Sequence, residues 1–232
     1  MLKIKRPSKE QQEHWLNFLK WTTEHADSRW IYRGSPSKTF KLVPSIGRKE
    51  DYRLSDELAL LEIFRRRATE FLGHQPLLDW DLLALAQHHG MPTRLLDWTS
   101  NPLVAAYFAV SSLPHDHDAR IVAYRVRSTD IIDTNTRLEE LTDTGFLMPR
   151  SITVRIVNQS GIFSCHHQPE IPWQPPIRSL ETFNIPVQMR ELFLRRLFSL
   201  GIDAQRIMGG IDGLCARLKW QYEAGIGLGA VR

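Results

Sequence analysis

The stretch from Asp81 to Val110 constrains this chain most, because it sets two apolar segments around a dense polar run. Asp81 to His89 reads as a helix that stops at Gly90, with Pro92 just beyond it. Asn101-Pro102 opens another helix, with a cap residue followed by proline in the first turn. Leu103 to Val110 is apolar nearly all round, which predicts burial on most sides. Between them, Gln87 to Asn101 is unusually rich in hydrogen-bonding groups for a loop between buried helices. Loops held on a rigid scaffold are where binding and catalytic residues concentrate.

The rest of the chain alternates helix and strand patterns in mixed order. Ser8 and Gln11 have the spacing of a capping box, and Trp15, Phe18, Leu19 and Thr22 follow on one helical face. Arg29 to Gly34 reads as a short strand. A helix is expected from Ser55 to Leu72, with Asp56 and Glu57 in its first turn, where they favour the positive end of the dipole. Leu58, Leu61, Phe64, Ala68 and Phe71 form its apolar stripe. Arg120 to Arg127, Ser151 to Asn158 and Gly161 to Cys165 have strand character, and helices are expected over Val187 to Leu200 and Asp212 to Tyr222. Gly209 to Gly213 reads as a turn. This order predicts an α+β fold with mixed, largely antiparallel sheets flanked by helices. At 232 residues a single core is the default, with residues 1–28 as an N-terminal helix packed on one globular domain over 29–232.

Charge decides little. The net charge of +4 is mild, and the clusters Lys3 to Arg6, Arg65 to Arg67 and Arg195-Arg196 fit solvated helix faces as well as contacts to nucleic acid or phosphate. Two cysteines without framework spacing, no apolar leader and no apolar run long enough to span a bilayer predict a soluble protein of the reducing cytoplasm. The pairs His88-His89 and His166-His167 and the run His115 to Asp118 lack ligand spacing, so no metal is expected. Nucleophile-elbow, Walker and dinucleotide glycine motifs are absent, and Cys165 reads as a buried strand cysteine.

Two arginines stand out. Arg94 could pair with Asp97 and hold the polar run, or read a carboxylate or phosphate beside Thr99, Ser100 and the helix start after Asn101. Arg33 ends its strand before Gly34, which lets backbone or ligand come close. It either bridges to a carboxylate such as Asp97 or offers its fork to a diphosphate.

These residues also carry a resemblance. Trp30-x-Tyr32-Arg33-Gly34 looks like the aromatic-Arg-Gly signature of the FRG domain, and Pro44-Ser45 followed by Arg48 resembles its Pro-Ser-x-x-Arg. Gln87-His88-x-Gly90-x-Pro92-Thr93-Arg94-Leu95-Leu96-Asp97-Trp98-Thr99 is similar to the family's central motif, continued by Ala105-x-Tyr107-Phe108-Ala109. Arg155 to Phe163 and the closing helices resemble later blocks, so the likeness runs over about residues 29 to 215.

The order of blocks is similar to that of NAD-dependent ADP-ribosyltransferases, which implies an ADP-ribosyltransferase-like fold and NAD as substrate. The resemblance places Arg33, Asp97, Thr99 and Gln159 in catalytic positions. It places Tyr32, Gly34, His88, Arg94, Trp98, Ser100 and Tyr107 around the dinucleotide, with Tyr32, Trp98 or Tyr107 stacked on nicotinamide. Gln159 stands where that group has a glutamate. Glutamine orients a ribose but carries no charge to stabilise a cation, which leaves the role to Asp97 or another acid, or leaves the site without transfer. An enzyme of this kind would modify protein or nucleic acid, as a bacterial or phage toxin, defence or counter-defence factor would. The alternatives are a non-catalytic module that binds nucleotide, nucleic acid or protein, and a nucleotide hydrolase.

Overall fold

The computed structural model describes residues 6–72, 78–148 and 161–227. The capping box forms as expected: Ser8 Oγ accepts from the Gln11 amide, and Gln11 Oε1 accepts from the Ser8 amide. It opens α1 (Lys9–Glu24), whose Trp15, Phe18 and Trp21 are buried. β1 (Trp30–Ser35) follows, then α2 (Leu54–Leu72), α3 (Asp79–His88), β2 (Leu95–Thr99) and α4 (Pro102–Ser111). β3 (Ala119–Arg125), β4 (Gly145–Leu147), β5 (Gly161–Cys165) and β6 (Leu180–Ile185) complete the strands. α5 (Arg190–Ser199), α6 (Ala204–Met208) and α7 (Gly210–Glu223) close the described chain.

One six-stranded sheet has the order β4-β5-β2-β1-β3-β6, and all its neighbours are antiparallel. The fold is α+β. Alternation along the strands sorts side chains to two faces. On the first face two separate helical layers form. Trp15, Phe18, Tyr32, Ala105, Ile121 and Phe193 join α1, α4 and α5 over β1, β3 and β6. Leu61, Leu83, Leu95, Leu147, Phe163 and Cys165 join α2 and α3 over β2, β5 and β4. On the second face Ile31, Leu96, Trp98, Val122, Tyr124 and Phe146 pack beneath Leu42 and Trp173.

Several expectations change. The polar run is not all loop, because Leu95–Thr99 is a central strand with Leu95, Leu96, Trp98 and Thr99 buried. Its apolar pairs are buried on both faces, which hides the alternation that marks a half-exposed strand. Phe71 does not join the stripe of α2 and is 81% exposed. Glu57 sits in the first turn of α2 as expected, and it is also buried. Gly210 and Gly213 belong to α7, and the chain bends at Gly209 and Gly210, whose φ angles of 68° and 59° suit glycine. The strand expected over Ser151 to Asn158 lies outside the described residues. No helix among the described residues is long and apolar enough to cross a membrane.

Candidate functional site

The sheet opens at one place. β1 pairs with β3 along its whole length, from Trp30↔Arg125 to Ser35↔Arg120, and β2 pairs with β5 from Leu95↔Cys165 to Thr99↔Gly161. Between β1 and β2, however, the register holds at Tyr32↔Thr99 alone. The strands splay beyond that point, where the two helical layers of the first face also part. The result is a cleft of about 270 Å³ between α3 and α4. Gln87 and His88 line it from α3, Asp97 from β2, Phe108 from α4, and Arg33 and Gly34 from β1.

Asp97 is the one exposed position in an otherwise buried strand, with 58% of its side chain accessible. Its place is held by a short relay. Ser45 Oγ accepts from the Thr93 amide at 3.2 Å, and Thr93 Oγ1 donates to Gln87 Oε1 at 2.6 Å. Gln87 Nε2 donates to the Asp97 carboxylate at 3.2 and 3.3 Å. The amide of Gln87 is thereby oriented with its donors toward the acid.

Arg33 leaves β1 on the second face, beside Ile31, and its guanidinium fills the gap between the splayed strands. Nη1 donates to the Asp97 carbonyl at 2.6 Å and lies 3.9 Å from the Asp97 carboxylate. Its side chain is 20% exposed. Burial works against its charge, the Asp97 carboxylate supports it, and nearby Arg48 weakens it further. A cation held mainly by a backbone carbonyl keeps its attraction for a second anion.

Gly34 serves packing. A Cβ there would fall 2.0 Å from the Ala105 carbonyl oxygen and 2.6 Å from the Ala109 nitrogen, so α4 lies directly on the strand. His88 lines the cleft, and its ring meets His89 edge-on at 4.9 Å.

The other expected site residues divide: Tyr32, Trp98 and Thr99 also contribute to the cleft wall, while Arg94, Ser100 and Tyr107 do not. Arg94 does not reach the cleft or pair with Asp97. It is buried with Glu57, donating from Nε at 3.0 and 3.1 Å and from Nη2 at 2.6 Å, and from Nη2 to Tyr52 Oη at 2.9 Å. Tyr32 is buried, and its hydroxyl donates to the His25 carbonyl at 2.7 Å. Trp98 is buried on the second face, donating to Ser164 Oγ at 2.9 Å. That leaves neither ring free to stack on a ligand. Tyr107 lines a different cavity, of about 500 Å³, with Phe198 and Trp220. Thr99 Oγ1 accepts from the Asn101 amide and Asn101 Oδ1 accepts from the Leu103 amide, so the start of α4 is capped by the chain itself. Ser100 is exposed outside the cleft lining. Gln159 lies outside the described residues. Among those described, no group of three His, Cys, Asp or Glu side chains comes together as metal ligands.

Three further residues have roles that the sequence reading did not assign. Tyr52 and Glu57 complete the Arg94 network. Arg190 is 4% exposed and donates to the carbonyls of Pro36, Val110, Ser112, Pro114 and His117. It caps the carboxyl end of α4 and fixes Ser112 on the cleft wall. An arginine opening a helix gives no sequence signal of that role.

The fold and cleft define an α+β protein whose central sheet is split to expose one acid beside one arginine. The family model described as the FRG domain matches residues 28–118, a span running from before β1 to the residue preceding β3. It contains the whole cleft lining, and it supports the family resemblance over that span. No curated protein and no solved structure matches the chain.

Proposed function

We propose that the cleft binds a nucleotide of the NAD type and that Asp97 and Arg33 serve transfer of its ADP-ribosyl group to a protein or nucleic-acid acceptor. The observation that carries this reading is the exposed Asp97 carboxylate, aimed by Gln87 and set beside an arginine with little carboxylate compensation. The cleft volume is just under the range typical of small-molecule pockets, about 300–1,000 Å³. It therefore suits the nicotinamide riboside end, with the diphosphate at Arg33 and the adenosine across the rim. Phe108, not Tyr32 or Trp98, is the aromatic face available there.

In this reading the bond between the ribose anomeric carbon and the nicotinamide nitrogen breaks, and its electron pair leaves with nicotinamide. Asp97 stabilises the positive charge that develops on the ribose, the role for which Gln159 has no charge. A lone pair of the acceptor forms the new bond to the anomeric carbon, and its proton passes to the Asp97 carboxylate.

Nicotinamide release from NAD, followed together with label transfer to protein and nucleic acid, tests the proposal. Asp97→Asn is expected to lower turnover by about 100-fold or more with the far-UV spectrum unchanged. Turnover by Asp97→Asn at the parent rate would sink it. A binding module without chemistry is the second reading, supported by Gln87 already donating to both carboxylate oxygens of Asp97. Saturable nucleotide binding that needs Arg33, with no nicotinamide released, would select it.

A further inference from the structure

The outer face of α7 carries an apolar stripe that nothing in the described chain covers. Ile211, Leu218 and Tyr222 are 69%, 45% and 80% exposed, and Cys215 between them is also exposed. Their spacings of four, three and four residues hold them on one line of the helix. The opposite side of α7 is occupied: Gly213 and Gln221 are buried, and Arg217 packs over Phe198. Scattered exposed apolar residues need no explanation, but a continuous line along one helix does.

We propose that this face pairs with α7 of a second copy of the chain, in antiparallel orientation about a two-fold axis. The spacing is symmetric about its centre, between Ala216 and Arg217. Reversal therefore sets Ile211 against Tyr222 of the second copy and Cys215 against Leu218 of the second copy. An isologous contact of this kind is self-complementary by construction. The charges agree with it. Asp212, Lys219 and Glu223 form a second line, on one flank of the stripe, and a two-fold axis brings equal flanks together. Lys219, bridged at 3.9 Å to its own Glu223, then lies within reach of Asp212 of the second copy, twice over by symmetry. A helix of 14 residues is about 21 Å long, so the contact is modest and the dimer reversible. The proposal is independent of the chemistry assigned to the cleft.

Sedimentation velocity of the whole chain over a concentration series is the test. A reversible dimer is expected, with Leu218→Asp raising its dissociation constant by about 30-fold or more. Lys219→Glu, which puts like charges together, should raise it by about 5–10-fold. Asp212→Lys combined with Lys219→Glu should restore it. A bismaleimide of intermediate length should join the two Cys215 thiols in the parent dimer and not in Leu218→Asp. A chain that stays monomeric up to about 1 mM overturns the proposal. So does a dimer indifferent to Leu218→Asp. Failure of the charge exchange to rescue Lys219→Glu refutes the antiparallel arrangement.

Discussion

Replacing Glu57 by glutamine keeps the shape of the side chain and removes its charge. The partner Arg94 then remains in the interior with its positive charge uncompensated. Both side chains are nearly inaccessible, at 2% and 3%, so water cannot take over the lost interaction. Three donor contacts to Glu57 between 2.6 and 3.1 Å are affected, and Tyr52 and the His166 carbonyl supply only neutral acceptors. Breaking a buried pair in this way costs about 3–5 kcal/mol. Against a total stability of about 5–15 kcal/mol that is a large fraction. For a chain of this size it corresponds to a fall in Tm of about 6–20 °C. Urea and thermal unfolding followed by circular dichroism read the loss directly. Screening does not reach a buried pair, so the loss should persist at 1 M salt, where the Debye length is about 3 Å. Glu57→Leu with Arg94→Met should recover much of it, because well-packed apolar replacements of a buried pair are often neutral. A cost below about 1 kcal/mol for Glu57→Gln would refute the structural role of Arg94 and return it to the list of ligand contacts.

Three other outcomes follow from the same geometry. Gly34→Ala drives a methyl into the backbone of α4 at Ala105, so thermal unfolding should show a loss of about 3 kcal/mol, the upper end for overpacking. Arg190→Met strips buried carbonyls of their donor, at about 1–3 kcal/mol each for those that stay dry. Limited proteolysis should then cut faster between Ser112 and Asp118. His166 is held neutral in the fold, its pKa lowered to about 3 from 6.5 by burial and then by Arg33 and Arg94. The unfolded chain takes up this proton below about pH 6.5 and the folded chain does not until about pH 3, so stability falls as pH drops through that window. The slope is about 1.4 kcal/mol per pH unit, and the stability of His166→Gln should decline with acid less steeply by about that amount.

Which parts of this were legible in the sequence follows from physical range. The capping box at Ser8, the cap at Asn101 and the stop at Gly90 act over three or four residues, and each forms as read. Strand β2 escaped because both of its faces are buried, so its apolar residues do not alternate with polar ones. The strands Gly145–Leu147 and Leu180–Ile185 went unread for other reasons: one is three residues long, and the other alternates only weakly in burial. The partner of Arg94 is 37 residues away on α2, while Asp97 stands three residues along and was the nearer guess. Spacing alone cannot distinguish a local partner from a distant one. Arg33 was legible as a strand residue facing Asp97, but its reach through a split sheet depends on β1 and β2 parting after one paired position.

That split also explains why a long polar motif lies between two apolar helices. Within Thr93 to Thr99 the residues divide by strand parity and by depth. Trp98 turns to the second face, and it is linked to Arg94 through Ser164 and His166. Thr93 anchors the loop to Ser45 and aims Gln87. Asp97 is the one exposed position of the strand and faces the opening, at the level where β1 no longer pairs with its strand. A central strand is an expensive place for a carboxylate that serves packing alone, because any apolar residue there would join the two helical layers on that face. The buried arginine, threonine and tryptophan are best understood as the framework that keeps the opening fixed in shape. The reaction proposed for the cleft then rests on Asp97 and on the arginine that approaches it from the other side of the sheet.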